Sequence, residues 1–198
     1  MRLFIGVRLS EDLCARIVRD TAHVRSSVPD VRWTNADALH ITLRFLGEVA
    51  EENVAAIRSA LDACASQRAP FIFRTGGVGA FPRMSRAQVL FMGVEDAGAT
   101  SELVACLDAA LEPLGFPPEQ RAFAPHVTLG RAKKRRGVRL SEPAAAGVTI
   151  DAAMRVDRVE LIRSHLGVGP ARYGALQAAL LQARTGIGRN GIGDRRGG

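Results

Sequence analysis

Long hydrophobic runs are missing from this chain of 198 residues, and cysteine is scarce, with three residues. No stretch approaches the roughly 18 apolar residues of a membrane span, so we expect no membrane partner. The three cysteines, Cys14, Cys64 and Cys106, form no Cys-x-x-Cys pattern, which argues against a zinc site. Their odd number and their positions in predicted helices indicate buried free thiols and therefore a cytoplasmic location.

Histidine is also scarce, with four residues in the chain, yet two of them stand in nearly the same setting. The segments His40-Ile41-Thr42-Leu43 and His126-Val127-Thr128-Leu129 each predict a β-strand with a β-branched second residue. Because alternate residues of a strand share one face, each segment presents an imidazole and a hydroxyl side by side. The repeat predicts a site built from two halves, with one histidine from each.

The net charge of +7 comes from two short segments. Lys133-Lys134-Arg135-Arg136 contributes four charges just after the second histidine segment, and residues 184–198 contribute a net three. A basic run in that position suits a polyanionic ligand. The alternative is an ordinary solvated loop, because charge runs are common on protein surfaces.

The length and the 47% hydrophobic content predict one folded domain over residues 1–183, followed by a disordered Gly/Arg-rich tail over 184–198. The apolar start of the chain is interpreted as a first strand because it is too short for a signal peptide. Strands and helices follow without a βαβ rhythm, which favours an antiparallel α+β fold. We expect strands at residues 3–8, 31–34, 40–46, 71–82, 89–94, 126–131, 156–164 and 173–178, and helices at residues 11–26, 51–65 and 101–114.

A pair of histidines can act as general base and general acid in one step, and threonine hydroxyls can stabilise an anionic oxygen between them. Phosphodiester chemistry needs groups of this kind, and this arrangement requires no metal or other cofactor. A metal site lacks nearby ligands at a recognisable spacing, and a serine nucleophile lacks its Gly-x-Ser-x-Gly motif. A purely structural pair remains an alternative. His23 and His165 do not repeat the pattern and are interpreted as non-catalytic.

At these residues the chain resembles the two-histidine phosphoesterase superfamily, and within it the RNA 2′,3′-cyclic phosphodiesterase or 2′-5′ RNA ligase branch. The first motif extends over His40-Ile-Thr-Leu-Arg-Phe-Leu-Gly47, and the second over Phe123-Ala-Pro-His-Val-Thr-Leu129. The stretch Gly79-Ala-Phe-Pro82 and a late Tyr173 match as well. The resemblance implies a bilobal fold with a pseudo-twofold axis, in which antiparallel sheets line a central cleft and helices pack outside.

The resemblance also implies roles for individual residues. His40 would donate a proton to the leaving 3′ oxygen and His126 would activate water, although the pseudo-symmetry leaves the reverse assignment open. Thr42 and Thr128 would hold the phosphate oxygens. Phe45 and Arg131 would hold the nucleobase. For Phe45 a simple core position is the alternative, and Arg131 needs a bend in its strand to face the site. Arg44 departs from the family pattern and should point away from the imidazole.

We therefore predict a cytoplasmic, monomeric enzyme that opens RNA 2′,3′-cyclic phosphate ends to 2′-phosphates without a metal, with ATP-independent 2′-5′ ligation as a related activity. RNA 3′ ends with a cyclic phosphate would be its partners, with tRNA fragments among the candidates. Two alternatives stay open. One is a two-histidine phosphodiesterase that acts on small cyclic nucleotides or on an ADP-ribose cyclic phosphate. The other is a non-catalytic module that binds RNA or nucleotides.

Overall fold

The computed structural model describes residues 1–140, 148, 150–165 and 172–182. These residues form a single nine-stranded sheet, in which every strand pair is antiparallel, and helices. The strands are β1 (Arg2–Arg8), β2 (Val31–Trp33), β3 (His40–Glu48), β4 (Phe71–Phe81), β5 (Val89–Glu95), β6 (His126–Ala132), β7 (Ala153–Val156), β8 (Arg158–His165) and β9 (Arg172–Leu180). The helices are α1 (Glu11–Asp20), α2 (Ala22–Ser27), α3 (Val54–Ala65) and α4 (Ala99–Leu111). The α+β prediction is confirmed, and the tail predicted for residues 184–198 lies outside the described residues.

The strand order divides the sheet into two similar halves. The order is β7-β4-β5-β6-β3-β1-β8-β9, with β2 paired to β6 off this path. The first half is β3-β1-β8-β9 and the second half is β6-β5-β4-β7, so a pseudo-twofold axis lies between β3 and β6. The two sheets that the resemblance implies are therefore continuous, joined where Ile41 pairs with Val127.

Apolar residues of the central strands and the helices meet in one hydrophobic core. Leu3, Ile5, Ile41 and Val127 are fully buried in it together with helix residues such as Leu107. Burying a side chain of this size contributes about 1.5–3 kcal/mol, so the core holds the two halves together as one unit. The other face of β3 and β6 is left to line a cleft.

Two elements differ from the sequence prediction. The first predicted helix is broken at Thr21, whose hydroxyl donates to the carbonyl of Ile17 at 2.6 Å. The strand predicted over residues 156–164 corresponds to β8, and the preceding strand β7 was not predicted; the chain changes partner between them, at Asp157. Before that residue β7 pairs with β4, and after it β8 pairs with β1 and β9.

No helix among the described residues is long and apolar enough to cross a membrane.

The prediction of free thiols is wrong for two of the three cysteines. Cys64 on α3 and Cys106 on α4 form a disulfide, with their Cα atoms 5.8 Å apart. They are separated by 42 positions in the chain, so their approach depends on the packing of α3 against α4, which no local pattern reveals. Cys14 is free and buried, as predicted, and burial raises the pKa of its thiol.

Arg44 points away from the histidines and ties β3 to the segment that leads into β6. Its side chain is 5% exposed, and its Nε lies 2.7 Å from Asp108 Oδ1 on α4. Its Nη2 donates to the carbonyl oxygens of Phe116, at 3.2 Å, and Pro117. Nη1 lies 3.7 Å from Glu119. The guanidinium thus links the first histidine strand to the approach of the second.

Removing one partner of this buried ion pair should destabilise the fold. Asp108→Ala leaves the guanidinium of Arg44 buried with fewer partners and should lower the free energy of unfolding by about 3 kcal/mol. Arg44→Met removes the buried charge together with the pair and should cost less. Urea unfolding of both variants measures these effects.

The exposed pair of Arg68 and Glu102 provides the control. Arg68→Met should change stability by about 1 kcal/mol or less, since exposed ion pairs contribute little. An effect of Asp108→Ala no larger than this would contradict the structural role of the buried pair.

Candidate active site

The four motif side chains meet on the cleft face of the sheet. Ile41 on β3 lies opposite Val127 on β6, and both point into the core. In an antiparallel pair with this register, His40 lies across from Thr128 and Thr42 lies across from His126. The two histidines are then diagonal neighbours, a relation that corresponds to about 7–8 Å. The repeated motif is thus assembled into one quartet, and all four side chains are half-buried.

Two β-bulges bring Phe45 and Arg131 onto the same face. On β3, Thr42 pairs with Gly6 and Arg44 with Ile5, so Leu43 is an extra residue. Because one extra residue reverses the alternation, Phe45 turns to the cleft while Arg44 turns to the core.

The equivalent bulge in β6 follows the second threonine. Thr128 pairs with Phe91 and Gly130 with Leu90, which leaves Leu129 extra. Arg131 is thereby turned to the cleft, and the bulge is the bend that the sequence analysis required. Phe45 is 41% exposed, with the Arg2 guanidinium 4.7 Å from its ring centre, so its alternative as a core residue is wrong.

Each catalytic candidate ring is held by the carbonyl two residues before it. His40 Nδ1 donates to the oxygen of Ala38 at 2.8 Å, and His126 Nδ1 donates to the oxygen of Ala124 at 2.7 Å. A carbonyl oxygen can only accept, so Nδ1 carries a proton in both rings. Nε2 is therefore the atom left to accept a proton when the ring is neutral, or to donate one when it is charged.

Aromatic side chains pack against both imidazoles. The ring centre of His40 lies 4.7 Å from that of Phe4 and 5.1 Å from that of Tyr173. His126 is packed in the same way, 5.2 Å from Phe81 and 5.4 Å from Phe91. These contacts and the Nδ1 hydrogen bonds fix the orientation of both rings before a ligand binds.

The two histidines differ in their electrostatic surroundings. Burial lowers the pKa of His40, although the hydrogen bond to Ala38 opposes this change. The positive charges of Arg8 and Arg131, and of His126 when it is protonated, lower it further. The neutral form of His40 is therefore favoured in the free protein, and an anionic ligand in the cleft would oppose these effects.

Arg8 is a cleft residue that the sequence analysis missed. It lies opposite His40 in the pairing of β1 with β3, whereas Gly93 lies opposite His126 in the equivalent position of β5. Arg8 Nε is 3.0 Å from Glu160 Oε2, and Nη2 donates to the carbonyl oxygen of Tyr173 at 3.2 Å. Alternation along β1 could have placed Arg8 on the face of Phe4 and Gly6, but only the strand register places it beside His40.

The two other histidines lie apart from the quartet. His23 is exposed on α2, and His165 is exposed at the end of β8. No group of three or more histidine, cysteine, aspartate or glutamate side chains in the described ranges is arranged to hold a metal ion. The two histidines and two threonines share one face with Arg131, and Arg8 lies opposite His40, so this face carries groups that can donate hydrogen bonds to anionic oxygens.

Comparison with known proteins identifies the family. Residues 11–167 match the family model of the 2′-5′ RNA ligase superfamily. The chain is 32% identical over 168 residues to the RNA 2′,3′-cyclic phosphodiesterase of Methanothermobacter thermautotrophicus, covering 84% of this chain and 91% of that protein. A Thermus thermophilus protein of the same name is 31% identical over 194 residues, covering 94% and 93%. A third, from Geobacillus stearothermophilus, is 34% identical over 128 residues, which span 65% of this chain but 41% of that protein.

Solved structures share the fold over most of its length. A crystal structure of a protein from Thermus thermophilus superposes with a TM-score of 0.81 at 30% identity, covering 93% of this chain and 100% of that chain. Escherichia coli LigT complexed with 3′-AMP superposes with a TM-score of 0.74 at 25% identity, covering 91% and 97%. The family and the fold that the motifs indicated are both confirmed.

Removing the charge of Arg8 should raise the pKa of His40, because a nearby cation disfavours the protonated imidazole. NMR titration of the ring protons measures this for Arg8→Met, with Arg8→Lys as the variant that retains the charge. The titration of His40 should move to higher pH in the first variant and much less in the second. Arg16→Met on α1 serves as the control for removal of a distant arginine, and an equal shift there would contradict the assignment.

Proposed function

The chain belongs to the 2′-5′ RNA ligase superfamily, and from this membership we propose that it hydrolyses the 2′,3′-cyclic phosphate at RNA 3′ ends to a 2′-phosphate. The observation that carries the proposal is the quartet of His40, Thr42, His126 and Thr128 on one cleft face. Both rings are held at Nδ1, which leaves Nε2 to exchange a proton, as a general acid and a general base require. The relatives named above carry the same activity in their names.

The proposed reaction needs one attack and two proton transfers. Water attacks phosphorus opposite the 3′ oxygen while the base histidine takes a proton from it. The bond between phosphorus and the 3′ oxygen breaks, and the acid histidine gives that oxygen a proton. The products are a 2′-phosphate and a free 3′ hydroxyl. The hydroxyls of Thr42 and Thr128 donate to the non-bridging oxygens as negative charge develops there.

We assign His40 as the acid and His126 as the base, as the resemblance implies. The lowered pKa of His40 makes its protonated form a stronger acid, which suits proton transfer to a poor leaving group. The bound phosphate would supply the negative charge that keeps His40 protonated before the step.

Phe45 and Arg131 lie at opposite ends of the quartet, so we propose that each contacts a nucleobase on its own side of the cyclic phosphate rather than both holding the same base. Phe45 offers an exposed ring on the cleft face, and Arg131 offers a planar guanidinium that can stack on a base or pair with a phosphate. Arg131 lies close enough to His40 to lower its pKa.

The same site accounts for the related ligation. If the 5′ hydroxyl of a second RNA replaces water, attack on the cyclic phosphate forms a 2′-5′ linkage and releases the 3′ hydroxyl. The energy of the cyclic ester drives this transesterification, so ATP is not required. The balance between hydrolysis and ligation then depends on which nucleophile occupies the position beside the base.

Three predictions from the sequence stay predictions: a monomeric state, tRNA fragments as substrates and a cytoplasmic location. The cytoplasmic location was predicted from free thiols. Cys64 and Cys106 instead form a disulfide, and disulfides are rare in the cytosol. Alkylation of these cysteines in cell extracts, followed by mass spectrometry, measures their state directly.

Hydrolysis of an RNA oligonucleotide that ends in a 2′,3′-cyclic phosphate tests the proposed function. In the presence of EDTA, the wild-type protein should produce a 2′-phosphate, because the proposed step uses no metal. His40→Ala and His126→Ala should each lower kcat by about 100-fold or more, the contribution of general acid–base catalysis.

His23→Ala provides a matched control, since His23 is an exposed histidine on α2 and should leave kcat unchanged. Turnover of cyclic mononucleotides but not of RNA would favour the small cyclic phosphate alternative. Binding of the RNA without any turnover would favour the non-catalytic module.

A substrate with sulfur in place of the bridging 3′ oxygen tests which histidine is the acid. Sulfur leaves as a thiolate and needs no proton, so His40→Ala should recover most of its lost kcat on this substrate. His126→Ala should stay impaired because water still needs a base. Recovery by His126→Ala instead would reverse the two roles.

A further inference from the structure

Beyond the cleft, we propose that a cationic surface binds the backbone phosphates of the RNA on the 5′ side of its cyclic end. This basic surface consists of seven side chains: Arg83, Arg86, Lys133, Lys134, Arg135, Arg136 and Arg139. The proposal rests on the proposed function, because it treats RNA with a cyclic end as the ligand of the neighbouring cleft. It extends the substrate from the terminal nucleotide to the chain that carries it.

The fold brings two distant segments together to form the basic surface. The connection between β4 and β5 supplies two of the cations, and the segment after β6 supplies five. Backbone pairing of Ala87 with Val138 joins the segments, and Leu140 N donates to the carbonyl oxygen of Met84 at 2.9 Å. Gln88 Nε2 adds a hydrogen bond to the carbonyl oxygen of Arg135 at 3.1 Å. Residues 83–88 and 133–139 contain no acidic residue.

The charges of the basic surface are exposed and lack carboxylate partners among the described residues. All seven side chains are exposed, and none forms a salt bridge with an acidic residue in the part of the chain that the structure describes. Arginines elsewhere on the surface are commonly paired, as Arg16 and Arg19 are with Asp20. Seven exposed cations in one place create a positive potential that favours a polyanion.

A recess within the basic surface offers room for an anionic group. Its volume is about 270 Å³, and its walls are residues 27–30 on one side and Lys134, Arg136 and Arg139 on the other. The space is several times that of one water molecule, about 30 Å³. Asp30 also lines the recess and would repel a phosphate. The phosphate contacts are therefore assigned to Lys134, Arg136 and Arg139 on the other side.

The basic surface continues directly from the cleft. Lys133 follows Ala132, the last residue of β6, whose other end carries His126. The seven residue-to-residue steps from His126 to Lys133 span roughly 23 Å at the rise of a β-strand. A single nucleotide bound at the quartet cannot cover this distance, whereas a longer RNA can. The basic surface should therefore distinguish RNA from cyclic mononucleotides.

The test compares two substrates in one triple variant. Lys134→Gln, Arg135→Gln and Arg136→Gln are combined, and KM is measured for a ten-nucleotide RNA with a cyclic end and for a cyclic mononucleotide. The KM for the RNA should rise at least tenfold at low salt, while the mononucleotide should keep its kcat and KM. The slope of log affinity against log salt should also decrease by up to about 2, because each lost phosphate contact removes about 0.7.

A control with the same change in net charge separates local contacts from a general charge effect. Arg16→Gln, Arg19→Gln and Arg155→Gln remove three surface arginines on α1 and β7 and should leave both substrates unchanged. An equal rise in KM for the RNA in this control would overturn the proposal. So would an unchanged KM for the RNA in the triple variant, or an equal loss with the mononucleotide.

Direct binding distinguishes failure of this proposal from failure of the proposed function. Fluorescence anisotropy with the same RNA ending in a 3′ hydroxyl reports contacts of the basic surface without turnover. If the wild-type protein hydrolyses neither substrate, the proposed function fails. The basic surface is then supported only if the triple variant still binds this RNA at least tenfold more weakly than the control.

Discussion

The pairing of Ile41 with Val127 is the contact on which both the fold and the site depend. Both side chains are fully buried, and between them they join the two halves of the sheet. A slip of one residue in either strand would turn an apolar side chain to the cleft and a polar one to the core, which the hydrophobic effect opposes. The burial that stabilises the centre of the molecule therefore also sets the positions of His40 and His126. The geometry of the site follows from packing on the opposite face of the same strands.

The two bulges adapt this framework without disturbing the core. Leu43 and Leu129 each add one residue to a strand and remain buried, so no apolar side chain is lost to solvent. The residues beyond them change face. Phe45 and Arg131 then extend the quartet at its two ends, and Arg44 enters the core, where Asp108 partners its charge. The residue inserted after each motif threonine thus adds Phe45 and Arg131 to the face that carries the quartet.

Local sequence patterns predicted the quartet well because it depends on alternation within single strands. His40 and Thr42 share a face whatever lies beside them, and the same holds for their counterparts on β6. Features that depend on a partner strand or helix could not be predicted in this way. Arg8 becomes a cleft residue only through its register opposite His40, and the disulfide exists only because α3 packs against α4. The break at Asp157 likewise marks a change of partner that leaves no local signal.

The departures from symmetry matter most for a directional reaction. A cyclic phosphate is asymmetric, because one ester bond breaks and the other stays, whereas two identical half-sites would bind it in either orientation. Arg8 lies opposite His40, whereas Gly93 occupies the equivalent position opposite His126. Phe45 provides an aromatic ring at one end of the quartet, and Arg131 provides a guanidinium at the other end. The basic surface also lies at the Arg131 end alone. Charge is therefore distributed unevenly along a symmetric backbone, and this uneven charge is what can orient an RNA end for attack opposite its 3′ oxygen.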